Sequence, residues 1–229
     1  MSRRTDDAAG SPGPPALPAP DYAAWLPARP PSGRPASGRR LRSQGEETVR
    51  KLLDAGRRTF ASMGYAAARI DDVVAAAGIS HGTFYLYFRN KEDLLHRLAI
   101  ECGTELDSLT ASLNDLDEPT AAALEEWVDS FLDAYERHSS VIRVWLERRD
   151  LDPLMQALAN DKLGGLAAAL SRHLDPALGA AVDPGVATLA LLSLIERMAA
   201  YLLASNGTLA RRRVVRTTAG MLGATFAPS

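Results

Sequence analysis

The chain has little of what marks secreted, membrane-embedded or catalytic proteins. A single cysteine, Cys102, stands among 229 residues, so no internal disulfide framework is available and nothing argues for an oxidising compartment. The longest apolar run, Val186 to Ile195, falls short of the roughly 20 residues a membrane helix needs and is followed by Glu196 and Arg197. Arg3 and Arg4 precede no apolar segment, so they are not read as an export signal and the chain is expected in the cytoplasm. No phosphate-binding glycine loop, dinucleotide glycine motif, GxSxG elbow or HExxH pair occurs. The four histidines, His81, His96, His138 and His173, are far apart and none has a neighbouring Cys or His to share a metal with. No enzymatic activity, cofactor or metal is therefore expected.

What is present is a globular composition, 46% hydrophobic and 24% charged, enough for a packed core in one or two domains. The net charge of −2 conceals a division. Residues 1–100 carry 15 basic and 10 acidic side chains, net +5, whereas residues 101–229 carry 11 and 18, net −7. The amino-terminal part is the one suited to a polyanion, because counterion release requires basic side chains against phosphates. Residues 1–45 hold 9 of the 14 prolines, 5 glycines and 7 arginines, without apolar periodicity. Such a segment cannot bury enough surface to offset its ordering entropy and is read as a disordered Pro/Arg-rich arm. Within it Gly33-Arg34-Pro35 resembles the core of an AT-hook, which enters narrow A·T-rich minor grooves, although Ser32 stands where that motif has arginine. The alternative is a solvated basic linker.

Residues 46–95 carry the densest signals. A first helix is expected from Glu46 to Met63, with Val49, Leu52, Leu53, Phe60 and Met63 inward and Gly64 as its stop. Ile70, Val73, Val74 and Ala77 recur at the spacing of one helix face, Gly78 suits a left-handed turn, and Ser80 can cap a second short helix holding Phe84 and Phe88. Two short helices joined by a tight turn read as a helix-turn-helix, whose second helix enters the major groove. With Phe84 and Phe88 inward, Gly82 and Leu86 lie opposite, Thr83 and Tyr85 beside them and His81 at the exposed amino end. Gly82 permits close backbone approach, Ser80, Thr83, Tyr85, Tyr87 and Lys91 offer phosphate donors, and His81 is the candidate for a base edge.

In register, Phe60, Gly64, Tyr65, Ile70, Ala76, Gly78, Thr83, Tyr85, Tyr87, Phe88, Lys91 and Leu94 resemble the DNA-binding domain of the TetR family of one-component transcriptional regulators. The resemblance implies an all-α homodimer: a three-helix helix-turn-helix domain, then a helical ligand-binding and dimerisation domain over residues 96–229. It implies a double-stranded DNA operator and a small-molecule effector as partners, with no membrane. One departure is that the family usually has Thr or Ser just before the helix at Ile70, where this chain has Ala68 and Arg69. The cap is weakened, and Arg69 becomes a candidate phosphate contact at a helix start.

Beyond a long helix from Lys91 to about Leu113, Asp117-Glu118-Pro119 is a helix-start signal. Leu124, Trp127, Val128, Phe131, Leu132 and Tyr135 then mark an amphipathic helix, followed by a short segment Val141 to Leu146. Asp152-Pro153 opens another helix that ends before Pro176, and two last helices, about Pro184–Ala204 and Leu209–Phe226, flank Asn206-Gly207. Trp127, Phe131, Tyr135 and Trp145 are candidate lining for an effector pocket. Leu189, Leu192, Ile195, Val214, Thr218 and Leu222 are candidates for a four-helix dimer interface, since the family pairs its last two helices in this way. The expected function is a ligand-responsive regulator, a repressor released from a palindromic operator by an effector. The rival is an effector-independent protein that organises DNA by binding A·T-rich sites.

Overall fold

The computed structural model describes residues 38–116, 119–147, 152–174, 182–205, 207 and 209–226, with backbone alone for 38–43. Among them run eight helices: α1 Gly38–Met63, α2 Ile70–Ala77, α3 His81–Tyr85, α4 Lys91–Asn114, α5 Ala121–Glu147, α6 Pro153–His173, α7 Pro184–Ala204 and α8 Arg211–Gly223. The all-α expectation holds. Tyr22, Trp25, the Gly33-Arg34-Pro35 motif, Asp117, Glu118, Pro176 and Asn206 lie outside the described residues.

Helix α1 corrects the expected boundary, because Gly38–Gly45, assigned above to the disordered arm, is its first two turns. Leu52, Leu53 and Phe60 are buried as expected, but Met63 at the helix end is 48% exposed. Gly64 ends the helix with φ 77°, a conformation that costs glycine least. Gly56 has a packing reason: a Cβ there would lie 2.9 Å from Leu94 Cδ2 on α4.

Helix α4 is shared by both halves of the molecule. Its first turns, through Leu94, Leu95 and Leu98, close the core of the amino-terminal domain with Phe60, Val73, Phe84 and Phe88. Farther along, Leu106, Leu109 and Leu113 join the carboxy-terminal core of Leu124, Val128, Leu158, Leu170, Ile195 and Leu222. Helices α5 and α6 pack along α4, α8 covers α5, and α7 rests on α5, α6 and α8.

Helix α5 is one helix of 27 residues, so the separate segment expected at Val141–Leu146 is its last turns. Ser139 and Ser140, just before that segment, are buried within the helix. Asp152 caps α6, its Oδ1 accepting from the amides of Leu154 and Met155 at 3.0 and 3.1 Å. Helix α7 reaches the length and mean hydropathy of a membrane span, 1.7 over an 18-residue window, a reading that counting uninterrupted runs had set aside. Its buried residues Thr188, Leu191, Ile195 and Ala199 pack into the bundle, and Glu196 is half-buried with a bonding partner there.

Filling the space above Gly56 forces α1 and α4 apart or Leu94 off its rotamer. Gly56→Val is expected to lower stability by about 1–3 kcal/mol, measured as a fall in the urea midpoint at unchanged slope. An unchanged midpoint would show that the α1–α4 crossing has slack.

Candidate nucleic-acid interface

The helix-turn-helix is built by three local devices. Arg69 is the extended residue before α2, and it is the Asp72 carboxylate that completes this end by accepting from the Arg69 amide at 2.9 Å. Gly78 adopts φ 67° and turns the chain, with the Gly78 and Ile79 amides bonded back to Ala75 and Val74 carbonyls. Ser80 Oγ accepts from the Thr83 amide at 3.1 Å and lies 2.9 Å from Thr83 Oγ1, fixing the start of α3.

Phe84 and Phe88 are buried, their ring centroids 5.7 Å apart. That anchor turns His81, Gly82, Tyr85 and Leu86 to the outside, Tyr85 at 55% and Leu86 at 77% exposure. Thr83 and Tyr87 are half-buried, and Arg69 is exposed. Two expected roles are modified. The Lys91 ammonium donates to the carbonyls of Tyr65 and Ala68 at 2.6 and 2.8 Å and sits over the Tyr65 ring, so this lysine fastens α4 to the loop before α2. His81 Nε2 lies 3.0 Å from the carboxylate of Asp71, a neighbour on this surface that periodicity did not single out.

Residues 52–98 match a family model described as bacterial regulatory proteins, tetR family. An uncharacterized HTH-type transcriptional regulator of Bacillus subtilis is 33% identical over 73 residues, 32% of this chain and 37% of that protein. An HTH-type transcriptional repressor of Mycobacterium tuberculosis is 31% identical over 129 residues, 56% of this chain and 62% of that protein. The chain thus spans between about a third and two thirds of these relatives. Among solved structures, the regulator FadR of Bacillus subtilis in complex with stearoyl-CoA superposes with a TM-score of 0.57 at 18% identity, covering 77% of this chain and 98% of that one. Over residues 52–98 the chain is thus similar to the TetR family of regulators, and its helical fold is shared with solved members of that family.

The expected pocket aromatics divide. Trp127, Phe131 and Trp145 are core: Trp127 donates to the Leu109 carbonyl at 3.0 Å, Phe131 stacks between Trp127 and Tyr135, and Trp145 points its N–H at Met155 Sδ. Tyr135 alone of the four lines a cleft of about 400 Å³ between α5, α7 and the start of α8, with Leu132, Leu202, Leu203, Leu209 and Arg211 among its walls. The Tyr135 hydroxyl donates to Glu196 at 2.9 Å, and burial together with that carboxylate pushes the phenol well above its ordinary pKa. Arg211 is held by Asp129 and Asp133, each at 2.6 Å. Sequence reading missed Arg211 and the leucines because they converge from elements distant in the chain.

The expected interface residues divide too. Ile195, Val214, Thr218 and Leu222 are buried inside the protomer and are unavailable to a partner, because the α5 and α6 contacts take the α7 and α8 stripes on which they lie. Leu189 is 63% exposed and Leu192 half-buried. Val186 and Tyr201 on α7 and Met221 on α8 are exposed apolar residues.

Polar links tie α1, α4 and α5 together near the domain junction: Arg57 to Asp54 and Glu101, and Glu105 to Arg137 and His138. His138 Nε2 is 2.7 Å from Glu105, while its Nδ1 is buried without a partner, the pattern of a neutral imidazole donating from Nε2. Burial pushes His138 below its ordinary 6.5 against the pull of Glu105. Burial alone would raise Glu105, but its bonds to Arg137 and His138 outweigh that and hold it low. As pH falls below 6.5 the unfolded chain takes a proton that folded His138 refuses, and near 4.5 the unfolded chain also protonates Glu105 ahead of the fold. Stability is therefore expected to fall steadily with acid. An NMR titration should find the His138 ring still neutral at pH 6.5, and a ring half-protonated above that value would contradict the assignment.

Proposed function

We propose that the protein is a homodimeric, ligand-responsive regulator that holds a palindromic operator as a repressor and is released by a small effector. The exposed face of α3 carries this reading: His81, Gly82, Tyr85 and Leu86 project outward at a helix fixed by an internal aromatic anchor. Tyr85 and Thr83 hydroxyls and Arg69 suit phosphates, Leu86 suits a thymine methyl, and His81 suits a base edge once it leaves Asp71. The Mycobacterium tuberculosis relative is named a repressor, which supports that sign of regulation.

The effector reading rests on the cleft at Tyr135, an open cleft whose walls combine leucines with a few polar groups. FadR, of the same fold, was solved with stearoyl-CoA. Here the apolar walls and the Tyr135–Glu196 pair favour a largely apolar molecule with one hydrogen-bonding group. The ligand acts only through its different affinity for the DNA-competent and incompetent arrangements. The dimer reading rests on the outer face of α7 and α8, where Val186, Leu189, Tyr201 and Met221 lie open to solvent. The arginines of residues 1–45 supply basic charge suited to phosphates flanking the operator.

The function is tested by footprinting the full-length protein on the DNA flanking its own gene. A discrete protected site that weakens with rising salt is expected, and uniform protection along the fragment would contradict it. His81→Ala should cost roughly 1–3 kcal/mol of discrimination at one base pair in each half-site of a randomised operator library. Equal weakening on all sequences would reassign His81 to the backbone. Leu189→Arg leaves the protomer core intact and is expected to give monomers in sedimentation, with a stable dimer moving the interface elsewhere.

A further inference from the structure

The sequence gives no sign of a metal site, because its histidines stand alone. Folding changes that at the junction of α4 and α6. Glu92 and His96 are four apart on α4 and share a face. Asp152, the cap of α6, spends Oδ1 on two backbone amides and turns Oδ2 toward His96 Nε2 at 2.8 Å. One ligand atom from each of Glu92, His96 and Asp152 falls within 4.8 Å of the other two. His96 is 9% exposed, and Glu92 is exposed on the solvent side, which leaves a route of entry.

We propose that Glu92, His96 and Asp152 bind a divalent transition-metal ion of the zinc class, which joins α4 to α6 beside the DNA-binding domain. Ligand atoms bonded to one such ion at about 2.0–2.2 Å stand about 3 Å apart, so the His96–Asp152 separation already fits and only the Glu92 side chain must swing inward. Two carboxylates balance the charge of the ion and lose their mutual repulsion in doing so. The imidazole favours zinc-like ions over magnesium or calcium, which take oxygen ligands. Asp93 is not a ligand, since Arg89 grips its carboxylate at 2.8 and 2.9 Å. With three protein ligands the shell is completed by water. The ion ties the helix that carries the recognition unit to the body of the protein, so its occupancy also shifts operator affinity. That consequence rests on the regulator reading, whereas the site itself does not.

The test uses untagged full-length protein in metal-free buffer, titrated with Zn²⁺ by calorimetry and with Co²⁺ by visible absorption. Wild type is expected to take up one ion per protomer, to melt higher with Zn²⁺, and to give a Co²⁺ spectrum that Zn²⁺ abolishes. Glu92→Gln, at an exposed position, should fold normally and bind about 10-fold or more weakly, and His96→Gln should bind none. Absence of uptake by wild type in excess Zn²⁺ would overturn the site and leave a hydrogen-bonded cap. Uptake of equal strength in Glu92→Gln would overturn it as well, by placing the ion elsewhere. Both readouts are independent of DNA, so a regulator without a metal site and a metal site without operator coupling are told apart.

Discussion

The first turn of α4 is the constraint on which the rest depends. Asn90 caps it by accepting from the Asp93 amide at 2.8 Å, Lys91 binds the Tyr65 and Ala68 carbonyls, and Leu94 fills the space above Gly56. These contacts fix where α2 and α3 sit relative to a rod that runs on into the carboxy-terminal core. A shift of α4 along or about its axis therefore carries the exposed face of α3 with it. A change in how α5 or α6 packs on α4 has a mechanical path to the proposed DNA surface, without any unfolding of the recognition helix.

Magnitudes show which contacts hold that junction. Surface ion pairs such as Lys51–Glu47 contribute little, because solvent screens both charges. Fully burying a leucine or phenylalanine contributes about 1.5–3 kcal/mol, and Leu94, Leu98, Phe60 and Phe84 are all buried here. The apolar contacts set stability. The polar links of half-buried Lys91 and Arg57 and of buried His138 set geometry, because a buried donor that loses its acceptor costs about 1–3 kcal/mol and so resists displacement.

Legibility in the sequence followed the range of the interactions. Ser80 and Gly78 act on backbone within a few residues, and their roles were readable from position alone. The inward pair Phe84 and Phe88 fixed the outward set His81, Gly82, Tyr85 and Leu86 by helix geometry. Lys91 was misjudged because its acceptors lie 23 and 26 residues earlier in the chain, a distance at which spacing carries no information. Trp127 and Trp145 were assigned to a pocket on residue type, although a stripe at helical spacing says only which side is buried, not whether the buried side is hollow. Ile195, Val214, Thr218 and Leu222 lie inside the protomer for a related reason. On α7, apolar nearly all round, periodicity could not separate the stripe facing the bundle at Ile195 from the stripe left open at Leu189.

The central claim is that two copies of the α3 face read one symmetric stretch of DNA. Its most direct measurement is selection of bound fragments from a random duplex library by the purified full-length protein at physiological salt, followed by sequencing. The account predicts an enriched inverted repeat whose half-sites lie on one face of the duplex, separated by about one helical turn, 34–36 Å, or a multiple of it. Enrichment of A·T-rich sequence without a repeat, or no enrichment over the input library, would contradict it.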